Sequence, residues 1–352
     1  MRNLGKLAVL GITALGLALA GPQDNSLVIG ASQEPRVLAG DFLRVISNQA
    51  IKSEIEQYLF APFIGFNADS QNFPVLATEV PTLENGRLRV TDIGGGKKRL
   101  EMDITIRPDA KWSDGRPITT EDVAFYFEVG KAKGMPVLNP DFWERVNVRI
   151  KDARNFTLIF EPAYYYDTYG PINTYAPKHI MGPEWERVKA AARGLDPDKD
   201  AEKLNELYRN FFLKFATPQA LNRGAMVYSG PFKLKRWVPG NSIEMERNPN
   251  FPIKPEGGES KYVQKVVYRF IQNTNSLLVA VIGGSIDATS SVSLTFDQGR
   301  SPQLVRRAPG RFDIWFVPGA IWDHIDINKF ENCQVVKDLG LNDKRTRQAI
   351  LH

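Results

Sequence analysis

YSGPFKLKRWVPGNSIEMERNPNF, Tyr228 to Phe251, is the stretch that decides the fold. Ser229-Gly230-Pro231 forms a turn, because Gly tolerates backbone shapes that other residues resist and Pro fixes φ for the exit. Phe232, Leu234 and Trp237 follow in near-alternation with Lys233, Lys235 and Arg236, which suits a half-buried strand. Pro239-Gly240-Asn241 is a second turn, after which Ile243 and Met245 alternate with Glu244 and Glu246. Asn248-Pro249-Asn250 closes the unit. Turn, strand, turn, strand, turn is a β-hairpin.

Outward from the hairpin, the chain reads as alternating helices and strands. Leu27 to Gly30 is a short buried strand with Gln33-Glu34-Pro35 as its exit. Ser47 or Asn48 is the expected N-cap of a helix showing Ile51, Ile55, Tyr58 and Leu59 on one face. Asn85-Gly86 predicts a two-residue hairpin turn. Leu100, Met102, Ile104 and Ile106 alternate with Glu101, Asp103, Thr105 and Arg107 as a half-buried strand. In IRPDAKWSDGRPITTEDVAFYFE, Ile106 to Glu128, Ser113-Asp114-Gly115 is a turn. Thr119 and Asp122 make a capping box, with Ile118 and Val123 as its hydrophobic staple. Asp114, Glu121 and Asp122 invite an acid/base reading, but a turn residue, a first-turn charge and a cap each have a local job. Phe156 to Phe160 is a strand, and Glu186 to Lys214 a pair of helices broken at Gly194-Leu195-Asp196-Pro197. Tyr262 to Phe270 is a strand. Asn275-Ser276 is expected to cap a short helix, Leu277 to Ile282, stopped by Gly283-Gly284. Ser285-Ile286-Asp287 leads into a strand, and Phe312 to Val317 is read as an apolar strand.

The 352 residues are enough for two or three domains, and 43% hydrophobic with 24% charged is ordinary globular composition. The net charge of +5 comes from basic residues scattered among acidic ones, the longest run being Lys97-Lys98-Arg99; a nucleic-acid footprint would need clustering. With Cys333 the single cysteine, stability within the chain rests on packing. Arg2 and Lys6, the apolar Leu7 to Leu19 and the Ala18-Leu19-Ala20 site read as a signal peptide over 1–20.

The order of residue types within the hairpin is more specific than the hairpin itself. Gly230-Pro231-Phe232, Trp237, Pro239-Gly240 and the ending Arg247-Asn248-Pro249-Asn250-Phe251 resemble the family 5 extracellular solute-binding proteins. These are the peptide-binding (sometimes nickel- or sugar-binding) subunits of bacterial ABC importers. Further blocks agree in order: the opening strand with its Glu34-Pro35 exit, Ile106 to Glu128, Pro177-Lys178-His179, Ser285-Ile286-Asp287, and Leu341 to Ile350. The resemblance implies an α/β, class II periplasmic-binding-protein-like fold without catalytic residues, cofactor or metal. It implies an oligopeptide or dipeptide ligand and the membrane permease of an importer as partner. The lobe I core is expected over 21–62 and 176–318, with an inserted strand-rich subdomain over 63–175. The hinge and the start of lobe II are expected over 319–352. Many members carry a lipidated Cys after the leader; Gly21-Pro22-Gln23 stand there, so the expectation is a soluble periplasmic or otherwise extracytoplasmic protein.

Full-length members continue through a second lobe beyond the helix that Leu341 to Ile350 resembles, so the expectation is a C-terminally truncated chain that by itself binds ligand weakly or not at all. Family topology points to the wall beside the hinge and the first strand–helix junction: Gln33, Glu34, Ser47, Asn48, Trp322, Asp323 and His324. There an extended peptide would pair its backbone with exposed edges and Trp322 would pack a side chain. Other readings are a non-functional remnant of such a receptor and an exported hydrolase. Against the hydrolase, no G-x-S-x-G, H-E-x-x-H or G-x-x-x-x-G-K-[ST] pattern is present, and His179, His324 and His352 are widely spaced. A carboxylate pair of the glycosidase kind stays open.

Overall fold

The computed structural model describes residues 25–67, 69–164, 167, 176–254, 262–316, 327 and 332–351. Two compact units divide the chain after Leu304.

The first unit is built on two larger sheets and a two-stranded one, Ile64–Phe66 paired with Asn72–Pro74. Its central sheet has five strands in the order Ala288–Thr289, Ser26–Ala31, Lys265–Phe270, Ser242–Arg247, Phe232–Val238. The strand Ser26–Ala31 runs parallel to both of its neighbours, and the other pairings are antiparallel. Phe232–Val238 and Ser242–Arg247 are the expected hairpin, with a register shift between Leu234 and Arg236. Its start docks on the helix Ala50–Leu59, where Gly230 N donates to Leu59 O at 2.8 Å.

Both faces of the central sheet are covered. Ile29, Ala31, Ile51, Ile55 and Leu59 belong to the large core. Val28, Leu277 and Ile286 form a separate small core under the helix Thr274–Gly283. The packing over this strand is close: a Cβ at Gly30 would stand 2.5 Å from the terminal side-chain carbons of both Leu277 and Ile286, so a larger residue would require both side chains to shift.

A four-stranded antiparallel sheet, Leu88–Gly94, Lys97–Thr105, Asn155–Phe160 and Val146–Ile150 in that order, carries the expected alternation. Leu100, Met102, Ile104, Phe156, Leu158 and Phe160 face the core. The turn that joins its first two strands is Gly94-Gly95-Gly96, each with positive φ. Asn85-Gly86 precedes the first strand instead, and the Asn85 side chain accepts from Thr82 N and Arg87 N. It is a tight turn, but not the hairpin turn expected of it, because the ladder begins only at Leu88.

The capping box at Thr119 and Asp122 is present at the start of the helix Thr120–Gly130. Two other expected caps move. The helix Ala50–Leu59 has Gln49 as N-cap with no side-chain cap bond, because Ser47 and Asn48 engage their side chains elsewhere in the loop. The helix Thr274–Gly283 is capped by Asn273, whose side chain accepts from Ser276 N at 2.9 Å, two residues before the Asn275-Ser276 expected to cap it. The helical pair Lys178–Ala192 and Ala201–Ala216 breaks where the sequence predicts.

In the second unit the described helices are Gln334–Asp338 and Lys344–Leu351. Phe312 to Phe316, the described part of the expected apolar strand, has no described strand to pair with. It is irregular, with Trp315 80% exposed. Apolar character alone does not make a strand when its N–H and C=O groups find no ladder.

Candidate functional site at the carboxyl edge of the parallel strands

The helix following Ser26–Ala31 packs with one core and the helix following Lys265–Phe270 with the other, so the connections leave two adjacent parallel strands toward opposite faces. A crevice opens at such a switch point, outside the carboxyl ends of the strands, and it is the preferred ligand position of open α/β sheets. Here the chain ends leading out are Ser32-Gln33-Glu34, Ile271-Gln272-Asn273 and Ser290-Ser291. Gln33, Gln272, Asn273 and Ser291 are exposed.

The edge is held tightly behind these side chains. Ile271 N donates to Ala31 O at 2.8 Å, Ser290 N to Gly30 O at 2.9 Å, and Ser32 Oγ to Val292 O at 2.8 Å. Glu54, on the helix Ala50–Leu59, accepts from the Tyr268 hydroxyl at 2.9 Å, Ser290 Oγ at 2.9 Å, Ser291 N at 3.1 Å and Ser291 Oγ at 2.7 Å. Burial, with Tyr58 and Glu54 adding to it, pushes the Tyr268 phenol far above its ordinary range, so it stays a neutral donor.

Among the residues expected in the site, four are described. Gln33 projects into solvent just past the first strand. Glu34 turns back: its carboxylate accepts from Trp237 Nε1 at 2.7 Å and from Gly240 N at 2.9 Å, fastening the hairpin turn to the strand exit. Ser47 is buried, its N bonded to Asp41 and its hydroxyl to Gln49. Asn48 is exposed and accepts from the Arg44 guanidinium at 3.0 Å. Gln49 draws the two pairs together, donating to Glu34 O at 3.3 Å and accepting from Arg36 N and Ser47 Oγ. Trp322, Asp323 and His324 lie outside the described residues. Sequence reasoning missed Gln272, Asn273, Ser291 and Glu54. A strand followed by the polar run Gln272-Asn273-Thr274-Asn275 was the available signal for the first two.

A concavity of about 520 Å³ lies elsewhere, between the starts of the helices Thr120–Gly130 and Lys178–Ala192. Its ionic groups are already engaged. Asp122 accepts from Thr119 N, Lys178 N and Trp112 Nε1, and burial raises its pKa despite these bonds. Lys178 pairs with Glu121 at 3.0 Å and His179 meets Asp114 at 2.9 Å. The three carboxylates that invite an acid/base reading thus serve caps, turns and interhelix ties. Among the described residues no cluster of His, Cys, Asp and Glu is arranged to hold a metal ion, and no helix is long and apolar enough to cross a membrane.

The model of the bacterial extracellular solute-binding proteins, family 5 Middle, matches residues 97–352. The oligopeptide-binding protein AppA of Bacillus subtilis is 23% identical over 347 residues, covering 93% of this chain and 49% of AppA. The peptidoglycan-binding protein YepA of Agrobacterium fabrum is 30% identical over 199 residues, 54% of this chain and 26% of YepA. Among solved structures, the oligopeptide binding protein from Thermus thermophilus complexed with a pentapeptide is 99% identical with a TM-score of 0.91. The match covers 95% of this chain and 55% of that one. AppA from Bacillus subtilis in complex with a nonapeptide superposes with a TM-score of 0.52 at 22% identity, over 74% of this chain and 43% of that one, which is a likeness of fold. The chain spans about half the length of AppA and of the Thermus protein.

Proposed function

The chain belongs to the bacterial extracellular solute-binding proteins of family 5, and from that premise we propose that it is an extracytoplasmic receptor that presents an oligopeptide to the membrane permease of an ABC importer. The observation that carries this is the 99% identity to a protein solved with a pentapeptide. Members of this family bind solutes, which leaves the hydrolase reading without support. The soluble, periplasmic placement is part of the same proposal.

In this reading the switch-point edge is one wall of the ligand cleft. Gln33 and Asn48 face the peptide with their amides, which can donate to and accept from a peptide backbone at once. Glu34 and Ser47 serve the wall from behind, since their polar atoms are bonded within the chain. Trp322, Asp323 and His324 complete the proposed set. The two larger sheets support the proposed division, with the lobe I core over 21–62 and 176–318 and the insert over 63–175. The central sheet draws on 26–31 and 232–289, the four-stranded sheet on 88–160. Residues 319–352 are assigned to the hinge and the start of lobe II.

The test is amide hydrogen exchange of the 352-residue chain with and without a millimolar randomised pentapeptide library. Saturable protection of amides around Gln33, Asn48 and Gln272, with peptide masses unchanged, is expected. Protection confined to other surfaces, or cleavage of the library, would overturn the assignment.

A further inference from the structure

Between the two proposed contact residues, Gln33 and Asn48, the chain runs through Pro35 to Ser47 with no helix or strand, yet most of it is buried. Val37, Leu38, Phe42 and Leu43 supply the apolar pull. That pull is non-directional and does not choose one backbone path among many. The path taken is a demanding one: Ala39 has φ 59° and Arg44 φ 60°, a region that residues with a Cβ avoid. Something directional must hold it.

Three buried ionic groups do so. Lys52 and Glu56 stand one turn apart on the helix Ala50–Leu59, with side chains 0% and 3% exposed, and their charged atoms are 2.9 Å apart. The Lys52 ammonium also donates to Asp41 O at 3.0 Å. Glu56 accepts from Ala39 N at 2.9 Å, at the first strained residue. The fully buried Asp41 carboxylate accepts from Ile46 N and Ser47 N at 3.1–3.2 Å, and its carbonyl from Arg44 N, at the second strained residue. Each unusual turn of the path is therefore met by one bond from this group.

We infer that Lys52 and Glu56 are positioning residues: with Asp41 they fix the path of Pro35 to Ser47 and so set the spacing of Gln33 and Asn48 on the peptide-facing wall. This rests on the peptide-receptor reading for its functional half and on the loop geometry for its structural half. A buried ion pair contributes little net stability against an apolar replacement, because desolvation offsets the Coulomb attraction, while it can select one arrangement. Replacement should therefore separate melting from binding. A pair kept only for stability would move the two together.

The test compares the wild type with Lys52→Met/Glu56→Gln and Lys52→Met/Glu56→Leu. The amide introduced by Glu56→Gln would keep an oxygen for Ala39 N, which the apolar side chain introduced by Glu56→Leu does not. Thermal midpoint, exchange of the 37–47 amides without ligand, and affinity for a randomised pentapeptide library are measured on each. The apolar pair is expected to lower the thermal midpoint by less than Lys52→Met alone, to exchange these amides at least about tenfold faster, and to bind at least about tenfold more weakly. The amide-bearing variant should lie between it and the wild type in both. Exchange and affinity unchanged in both variants would overturn the inference. If the apolar pair does not fold, the amide-bearing variant decides: unchanged exchange overturns the inference and faster exchange supports it. A wild type that shows no library-induced protection would refute the receptor reading, and the exchange rates would then judge the positioning of the segment separately.

Discussion

Two charge networks in the first unit use the same residue types to opposite physical effect. On the outer face of the four-stranded sheet, Arg89 reaches Glu101 at 3.1 Å and Asp103 at 2.7 Å, Arg149 reaches Glu101 at 3.4 Å, and Lys151 reaches Asp103 at 2.8 Å. Water reaches this face, and its carboxylates sit below the ordinary range. For Glu101 the Arg89 hydrogen bond is the main cause. For Asp103 burial alone would raise the value, but the bonds from Arg89, Lys151 and Thr157 together outweigh it. Beneath the Pro35–Ser47 loop the balance reverses: burial pushes both Asp41 and Glu56 up, although Lys52 opposes it for each. Proximity of opposite charges is common to both networks, and solvent access decides the sign. The sheet face gains modest stability from its pairs, whereas the buried group gives up solvation and dictates a backbone path.

The sharpest way to break this contrast is Lys52→Met alone. It leaves two buried carboxylates without their cation, and a loss of about 3–5 kcal/mol in urea unfolding is expected. A loss no larger than that of an exposed pair would mean that water enters beneath the loop, and the distinction between the networks would fall. Next in size is Glu34→Ala. It strips the acceptor from the indole of the buried Trp237 and from Gly240 N. The expected cost is about 1–3 kcal/mol, with looser hairpin-turn amides in hydrogen exchange. Glu34 is a single carboxylate facing neutral donors, so it measures what hydrogen bonding without an ion pair is worth at the same edge.

How much of this was legible depended on range along the chain. The hairpin Phe232–Val238/Ser242–Arg247, the Thr119–Asp122 box and the Leu100–Ile106 alternation are local patterns and stand where the sequence places them. Asn85-Gly86 and Asn275-Ser276 mislead because several Asn and Gly candidates compete nearby, and the distant ladder or the exit path of the strand chooses between them. Lys52 and Glu56, four apart on a helix, read as an ordinary surface pair. Nothing local announces that an irregular segment folds over them. The switch point was hidden for the same reason, since it depends on which face each helix takes after strands far apart in sequence.

Acid titration should separate the networks by sign. Asp103 is held below its unfolded value, so its contribution is present above about pH 4 and is lost as pH falls through the folded pKa. Glu56 is held above its unfolded value, so its contribution is full below that value and is lost as pH rises through the folded pKa. Asp103→Asn is therefore expected to flatten the acid limb of stability, and Glu56→Gln to steepen it, in unfolding series run from about pH 6 downward. If both variants flatten the limb, Glu56 behaves as a sheet-face carboxylate and the buried network has been misjudged.

The smallest effect expected is that of Arg149→Ala. Arg149 is 54% exposed and touches Glu101 at 3.4 Å, a carboxylate that keeps its bond to Arg89 when Arg149 is gone. A long side chain held at that distance gives up rotamer freedom for a screened attraction, so the change should stay within about 0.5 kcal/mol. It should shrink further in molar salt, where the screening length falls to about 3 Å. Lys52→Met should keep nearly its whole effect in the same salt, because mobile ions do not enter the buried site. A salt-insensitive loss at Arg149 would show that the outer sheet face is drier than its exposure implies, and would bring the two networks closer in kind.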